Sequence, residues 1–195
     1  MQSNIEIEAK VLLSEEEYLT LIKYLHLERY KKIKQTNHYV DSVDRKLKSN
    51  DIALRIREKE DFILTLKTPL SEGLLEKNQT ISWRDYSDLE EQGIFPNGDI
   101  KNFLEICGFN TRELKVLASL TTYRIELELN EGILCLDENV YGINNNKRDY
   151  ELEIESTSME KAKEAAKKIL NEAGITSFKF NTLSKQARAV MSITK

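Results

Sequence analysis

The chain has 195 residues, of which 40% are hydrophobic and 32% are charged. A chain of this length can bury a sizeable core without disulfides or a structural metal, and its hydrophobic share is typical of a globular protein rather than a disordered one. The 29 basic and 33 acidic residues give a formal net charge of −4, which disfavours a basic nucleic-acid-binding domain.

Membrane and secreted classes are also disfavoured. The sequence has no run of 18 apolar residues, and its start lacks the apolar stretch of a secretory signal. The two cysteines, Cys107 and Cys135, lack the spacing of a metal site. We therefore expect one domain over residues 1–195, a cytoplasmic location, and no nucleic-acid or membrane partner. The protein is expected to be a monomer or a homodimer.

In chain order, the first half of the sequence is predicted to hold one helix among several strands. A capping box at Ser14–Glu17 and an apolar stripe through Leu21 and Leu25 predict a helix directly after the first strand. Trp83 alternates with Ile81 and is expected to pack in the core or against a helix. Strict alternation of apolar and polar residues, which is typical of half-buried strands, covers residues 5–11, 52–59 and 62–67, with weaker versions at 36–41 and 79–85.

The second half is predicted to continue the same pattern. Helices are expected from about Asp99 to Gly108 and from Thr157 or Ser158 to Gly174, with a final helical turn or two within 182–191. Short polar connections such as Glu131-Gly132 favour antiparallel hairpins. The chain is therefore predicted to be an antiparallel α+β protein with strands in the majority. Its remaining alternating segments are 123–129, 133–138 and 150–154.

The polar faces of these strands are dense in full charges. Arg55 and Arg57 share one face, and Glu151, Glu153 and Glu155 share another. On a single strand, such a face is most simply a solvated surface. If the sheet closes into a barrel, however, these faces line its interior, where clustered carboxylates need a bound cation or raised pKa values. The resulting hypothesis is a divalent ion with oxygen ligands, Mg²⁺ or Mn²⁺, opposite Arg and Lys side chains that bind phosphate.

The charged motifs resemble, in kind and in order, those of the CYTH superfamily, the triphosphate tunnel metalloenzymes. An ExExK signature is followed by Tyr-x-Asp, Arg-x-Arg and Thr-Leu-Lys strands, an Arg before ELEL, a Leu-x-Leu-Asp strand, ELEIE and a Ser-Lys element. The match spans roughly residues 4–189, and the sequence looks most like the small bacterial single-domain members. The matching residues are Glu6, Glu8, Lys10, Tyr39, Asp41, Arg55, Arg57, Lys67, Arg124, Asp137, Glu151, Glu153, Glu155, Ser184 and Lys185.

The resemblance implies an eight-stranded antiparallel β-barrel, open at both ends as a tunnel, with helices packed outside. It also implies an enzyme that uses Mg²⁺ or Mn²⁺ inside the tunnel to hydrolyse a phosphoanhydride bond of a triphosphate. Inorganic triphosphate is the expected substrate, because the motif residues recognise phosphate and nothing obvious reads a base. The alternatives are a thiamine- or nucleoside-triphosphatase, an adenylate cyclase, and a non-enzymatic polyphosphate- or nucleotide-binding module.

Carried over residue by residue, the resemblance assigns a role to each motif position. Because Glu151, Glu153 and Glu155 share one face, the register of the metal ligands on that strand is ambiguous, and the first two are favoured. Asp137 would help to hold the metal or would orient the attacking water. The metal ligands would be Glu6, Glu8, Asp137, Glu151 and Glu153. The phosphate-binding residues would be Lys10, Arg55, Arg57, Lys67, Arg124 and Lys185. The catalytic residues would be Lys10, Arg55, Arg57 and Asp137.

Three further residues stay open or are expected to be structural. Tyr39 could pack within the barrel or touch the substrate. His38 lies on the opposite face from Tyr39 and is expected to have a structural or surface role. Glu126 shares a face with Arg124 and is favoured over Glu128 to reach the site.

Overall fold

Nine antiparallel strands form a single sheet in the computed structural model of the protein, which describes residues 2–142 and 147–193. The strands are β1 (Gln2–Glu6), β2 (Glu8–Leu13), β3 (Ile33–Asp41), β4 (Ala53–Glu58), β5 (Phe62–Pro69), β6 (Leu74–Ile81), β7 (Lys115–Leu129), β8 (Gly132–Tyr141) and β9 (Lys147–Glu155). The helices are α1 (Glu15–Tyr24), α2 (Lys46–Ser49), α3 (Trp83–Gln92), α4 (Asp99–Ile106), α5 (Met159–Glu172) and α6 (Lys185–Ile193).

The sheet closes into a barrel through its first two strands. The order of neighbours is β1-β6-β5-β4-β3-β7-β8-β9-β2, so the two ends of the sheet are β1 and β2. These strands follow each other in sequence with only Ile7 between them, while β1 pairs with β6 and β2 pairs with β9. The predicted antiparallel barrel is confirmed. The described strands number nine rather than eight because the first one is interrupted at Ile7.

The apolar half of each alternating strand faces outward, where helices cover it. One buried cluster joins residues such as Val11 and Leu136 to α1 and α5. A second joins Leu54 and Leu66 to α3 and α4. The polar half faces inward, so that Thr122, for example, is completely buried inside the barrel. Because the hydrophobic stabilisation comes from the outer layer, the interior of the barrel is free to be polar.

The helices predicted at residues 14–25, 99–108 and 157–174 are confirmed. At the first of them, Glu17 N donates to Ser14 Oγ at 3.1 Å and Ser14 N donates to Glu17 Oε2 at 2.7 Å, as the capping box requires. The helical turns predicted within residues 182–191 correspond to α6.

Within 2–142 and 147–193, none of the helices combines the length and the apolar character needed to cross a membrane.

The prediction of a strand over 79–85 is wrong beyond Ile81. A second capping box begins α3 there, since Asp85 N donates to Ser82 Oγ and Ser82 N donates to Asp85 Oδ2. Trp83 consequently lies in the first turn of a helix, with 66% of its surface exposed, instead of packing in the core. The helical hydrogen bonds that Ser82 caps replace the ladder bonds of a longer strand.

Helix α6 differs from the other helices because it contacts the inner surface of the barrel. Its Ala189 belongs to a buried cluster with Tyr39, Leu120 and Tyr141, which project from the inward faces of β3, β7 and β8. The expected packing of helices outside the barrel is confirmed, and α6 adds contacts with inward-facing residues at one end of the barrel. This helix occupies one end of the barrel and brings its side chains into the interior.

Gly132 sets the spacing between β8 and β9 at the other end of the barrel. Its φ is +147°, and a Cβ placed there would lie 1.9 Å from the backbone oxygen of Glu155. Replacing Gly132 with Ala is expected to lower the free energy of unfolding by about 2–3 kcal/mol, because the backbone conformation and the contact are both unfavourable for alanine. Equilibrium denaturation with urea measures the loss.

The matched control is Gly174→Ala. Gly174 also has a positive φ, +84°, but a Cβ there would have nothing within 4 Å. Gly174→Ala should therefore lower the free energy of unfolding by about 1 kcal/mol, which is the cost of the backbone conformation alone. Equal losses in the two variants would show that the close approach to Glu155 does not matter.

Candidate active site

A cavity of about 720 Å³ fills the middle of the barrel. Its wall consists of inward-facing residues, which strand pairing sets beside each other: Glu8 lies opposite Glu155, and Lys10 opposite Glu153. Glu126 lines it too, as expected. The structure therefore brings together nearly all of the residues named from the sequence. Those lining the cavity are Glu6, Glu8, Lys10, Tyr39, Arg55, Arg57, Lys67, Arg124, Glu153, Glu155, Ser184 and Lys185.

The described residues form two acidic clusters in this interior, and the first lies at the cavity wall. Carboxylate oxygens of Glu6, Glu8 and Glu155 lie within 4.8 Å of one another. Lys67 pairs with Glu6 and Lys10 pairs with Glu8. Among the described residues, the cation paired with Glu155 is Arg124, at the longer distance of 3.9 Å. Burial, followed by the charge of Glu153, raises the pKa of Glu8 to about 7. Burial also raises the pKa of Glu155, so this cluster favours additional positive charge.

The second acidic cluster consists of Asp137, Glu151 and Glu153, and it already holds a cation. The ammonium of Lys185 lies 2.6 Å from Asp137, 3.0 Å from Glu151 and 2.6 Å from Glu153. Arg124 adds two 2.7 Å hydrogen bonds to Asp137 and contacts Glu153. Burial opposes ionisation, but Lys185 and Arg124 outweigh it and hold the pKa of Glu153 well below its ordinary value. This cluster is therefore neutralised by the chain itself.

The side chains of Asp137 and Glu151 are fully buried behind the cavity wall. Glu151 forms a two-point ion pair with Arg188 of α6, whose Nη1 and Nη2 lie 3.0 and 2.8 Å from its oxygens. Arg188 also donates to Tyr141 Oη at 3.0 Å. The sequence analysis missed Arg188. The signal that could have found it is its position three residues after Lys185, which puts both cations on one face of a helix.

The opposite wall is cationic. Arg55 and Arg57 project inward from β4, and within the described residues the buried Nε of each has no hydrogen-bond partner. The charge of Arg55, followed by burial, lowers the pKa of Arg57 to about 10. Burial raises the pKa of Glu76, but Lys67 and Arg55 outweigh it and lower this pKa to about 2. Two adjacent guanidiniums with free donors are suited to binding a multiply charged anion.

Tyr39 both packs within the barrel and faces the cavity. Its side chain is 96% buried, and its hydroxyl has no partner among the described residues. Burial raises its pKa despite the charges of Arg55 and Lys185, so the hydroxyl remains a hydrogen-bond donor at neutral pH.

Asp41, the other residue of the Tyr-x-Asp motif, has a structural role. Its carboxylate accepts hydrogen bonds from the backbone N–H groups of Ser42, Leu47 and Lys48, and these bonds hold the turn into α2.

His38 lies on the outside of the sheet, as expected. Its ring nitrogens lie 2.8 Å from Ser119 Oγ and 3.1 Å from a carboxylate oxygen of Glu58, and its ring packs on Tyr86 of α3. These contacts join α3 to β3, β4 and β7, far from the polar interior. The arrangement supports a structural role.

A barrel whose interior sets an acidic cluster opposite a wall of guanidiniums defines a class of protein that is suited to binding cations and polyanions inside the barrel. Comparison with protein families is consistent with this geometry, since the CYTH domain model matches residues 4–187. The chain belongs to the CYTH family. YjbK of Bacillus subtilis (strain 168), a candidate triphosphatase, is 36% identical over 176 residues, which cover 90% of each chain.

Two solved structures share the whole fold. A candidate adenylate cyclase from Bacillus halodurans is 40% identical with a TM-score of 0.86, and the match covers 96% of this chain and 98% of that one. HpAC1 from Hippeastrum, a candidate adenylyl cyclase described as having a dominant triphosphatase activity, is 28% identical with a TM-score of 0.76 over 96% of each chain.

The ion pair between Arg188 and Glu151 can be tested by its removal. Arg188→Ala is expected to lower the free energy of unfolding by about 3 kcal/mol, because Glu151 stays fully buried with one cation fewer. Arg148→Ala is the control, since Arg148 is half-exposed and pairs with Glu138 near the surface. Its loss should cost less than about 1 kcal/mol. Urea denaturation of both variants makes the comparison, and a loss at Arg188 as small as at Arg148 would contradict it.

Proposed function

We propose that this protein is a metal-dependent triphosphatase that hydrolyses a phosphoanhydride bond of a triphosphate in its barrel cavity, with inorganic triphosphate as the favoured substrate. The observation that carries the proposal is the unequal neutralisation of the cavity wall. One side holds carboxylates that favour additional positive charge, and the facing side holds guanidiniums with unpartnered donors. A complex of a divalent cation with a triphosphate complements both.

The metal is proposed to bind Glu6, Glu8 and Glu155. Carboxylate oxygens are the ligands that Mg²⁺ and Mn²⁺ prefer, and the three side chains lie close enough together to share one ion. This assignment prefers Glu155 to Glu151, since Glu151 is fully buried and paired with Arg188. Glu153 faces the same cavity but is already bound by Lys185 and Arg124.

Asp137 is proposed to be a positioning residue. Its carboxylate is fully buried and bound to Arg124 and Lys185, which both line the cavity. Asp137 therefore orients two cations toward the substrate, and it does not itself reach the metal.

The proposed mechanism is attack of water on a phosphoryl group held by the cationic wall. Lys10, Arg55, Arg57, Lys67, Arg124 and Lys185 would bind the phosphate oxygens and neutralise the charge that develops on the transferring and leaving groups. Mg²⁺ or Mn²⁺ would supply further positive charge there and would activate the attacking water. Cys135 is unsuited to act as a nucleophile, because burial raises the pKa of its thiol.

The adenylate cyclase reading is the second candidate, because the similar structure from Bacillus halodurans is described as a candidate adenylate cyclase. Cyclisation requires the 3′-hydroxyl of ATP, in place of water, to attack the α-phosphorus, so that pyrophosphate leaves. Analysis of the products formed from ATP separates the two activities.

The first test is phosphate release from tripolyphosphate, ATP, thiamine triphosphate and pyrophosphate, each with Mg²⁺, Mn²⁺ or EDTA. We expect metal-dependent release from tripolyphosphate, little from pyrophosphate, and none with EDTA. Formation of cyclic AMP without phosphate release would favour the cyclase. Tight binding of tripolyphosphate without turnover under any condition would leave a binding module and would contradict the proposed activity.

The choice of Glu155 over Glu151 predicts how activity depends on metal concentration. Glu155→Gln should raise the Mg²⁺ or Mn²⁺ concentration for half-maximal activity by about tenfold or more. Glu128→Gln is the control, because Glu128 is exposed on the inward-facing side of β7 and is not part of the acidic cluster. If Glu155→Gln has the metal dependence of the control while Glu151→Gln shifts it, Glu151 is the ligand.

The charge of Arg57 should increase the rate of hydrolysis and lower the free energy of unfolding. Because Arg55 lowers the pKa of Arg57, the folded state disfavours the charge of Arg57. Arg57→Met is therefore expected to keep the free energy of unfolding or to raise it by up to about 2 kcal/mol. The same change should lower kcat/KM for tripolyphosphate by about a hundredfold. Urea denaturation and steady-state kinetics measure the two effects, and a variant that is less stable yet fully active would contradict both.

A further inference from the structure

A serine, a histidine and a glutamate form a connected row on the outer face of the sheet, away from the cavity. Ser119 of β7 lies directly opposite His38 of β3. Glu58 of β4 lies opposite Thr36, two residues from His38 on the same face. Ser119 Oγ lies 2.8 Å from His38 Nδ1, and a carboxylate oxygen of Glu58 lies 3.1 Å from His38 Nε2. The contacts that join α3 to the sheet therefore also set a hydroxyl, a base and an acid in hydrogen-bonding order.

The partners of His38 decide which of its ring nitrogens carries the proton. A carboxylate only accepts hydrogen bonds, so the neutral ring donates from Nε2 to Glu58 and accepts at Nδ1. The hydroxyl of Tyr86 also lies near Nδ1, at 3.3 Å, but it is hydrogen-bonded to the carboxylate of Glu90. Ser119 is therefore the closer donor to Nδ1, and its proton already points at a base.

The base is held rigidly, whereas the hydroxyl is open to solvent. Only 7% of the surface of His38 is exposed, and its ring packs on that of Tyr86 with the centroids 4.5 Å apart. Ser119 is exposed. A fixed base behind an accessible hydroxyl is the arrangement that attack on an external substrate requires.

The surroundings of the row indicate which substrates it favours. Phe62 stacks on Tyr86 with the ring centroids 5.3 Å apart, so an aromatic surface adjoins His38. The charges that act on Tyr86 are those of Glu90 and Glu58, and both disfavour an anion. A neutral ester with an aromatic alcohol as its leaving group fits this chemistry. Such a leaving group departs readily, so proton transfer and a nucleophile are sufficient for reaction.

We propose that Ser119 is the nucleophile of a second site that hydrolyses neutral aryl esters, with His38 as its base and Glu58 as the residue that orients the base. Ser119 Oγ bonds to the carbonyl carbon as its proton passes to His38 Nδ1, and the bond to the aryl oxygen then breaks. The leaving alcohol takes the proton. Water next attacks the acyl group on Ser119 and gives a proton to His38, which returns it to Ser119 Oγ as the carboxylic acid leaves. The inference does not depend on the proposed function of the cavity.

The first test is the hydrolysis of 4-nitrophenyl acetate by the wild type and by Ser119→Ala, with EDTA present. We expect Ser119→Ala to lower the rate by about a hundredfold, as for the loss of an activated nucleophile. Ser87→Ala is the control, because Ser87 is bonded to Glu91 at 3.1 Å and has no histidine beside its hydroxyl. Its rate should equal that of the wild type. Equal rates in Ser119→Ala and the wild type would overturn the assignment.

Covalent labelling identifies the reacting atom directly. A fluorophosphonate bonds to an activated serine oxygen as fluoride leaves, and peptide mass spectrometry then locates the label. We expect the label on Ser119 in the folded protein and its loss in Ser119→Ala. A label on another residue, or a protein that stays unlabelled, would contradict the proposal.

The second test concerns the base and the residue behind it. His38→Gln should lower kcat for the ester by about a hundredfold. Glu58→Gln should lower kcat by about tenfold and leave KM unchanged, because Glu58 contacts the base and not the substrate. An unchanged kcat in Glu58→Gln would show that Glu58 does not orient the base. If the change at the buried His38 unfolds the protein, Ser119→Ala and Glu58→Gln decide the question.

Phosphate release from tripolyphosphate separates this inference from the proposed function. Ser119 lies outside the barrel, so Ser119→Ala should keep the metal-dependent activity of the wild type. Ester hydrolysis by a protein that releases no phosphate from tripolyphosphate would refute the triphosphatase and keep the serine site. Phosphate release without any ester hydrolysis would do the reverse.

Discussion

The enclosure of the Lys185 ammonium by Asp137, Glu151 and Glu153 is the interaction on which the interior of the barrel depends. Three buried carboxylates this close together repel each other strongly in a medium of low dielectric, and they can be ionised together only because cations lie among them. Lys185 and Arg188 both come from α6, the last helix of the chain. The same contacts that neutralise the carboxylates therefore hold α6 in the end of the barrel and orient its first turn toward the cavity.

The carboxylates of the interior are neutralised to different extents, and this difference determines which ligand the cavity favours. Glu153 is held ionised by its cations, while burial and neighbouring carboxylates raise the pKa of Glu8. On the facing wall, Arg57 keeps its charge next to Arg55 at a cost in stability. A cavity with too little positive charge on one side and too much on the other favours a ligand that carries both signs. The unfavourable electrostatic energy at such a site is offset elsewhere in the fold. Here the two apolar layers between the barrel and its outer helices supply the stabilisation.

The strands and most of the helices could be predicted because their signals are local. Alternation with a period of two places Arg55 and Arg57 on one face whatever the rest of the chain does, and the capping box at Ser14 begins α1 from four neighbouring residues. The prediction over 79–85 went wrong for an equally local reason. Alternation continues past Ile81, but the Ser82 capping box ends the strand. Two local signals competed there, and the hydrogen bonds of the helix prevailed.

The sequence by itself determined the faces, the order of the charged motifs and hence the family and the barrel. It could not determine which of three equivalent glutamates is neutralised by the chain's own cations, because Glu151, Glu153 and Glu155 share one face of one strand. Only the tertiary structure decided this. The register of β2 against β9 sets Glu155 opposite Glu8, and α6 brings Arg188 to Glu151 from 37 residues away. Charge compensation depends on distance in space, and contacts between segments remote in sequence leave no periodic signal in the chain.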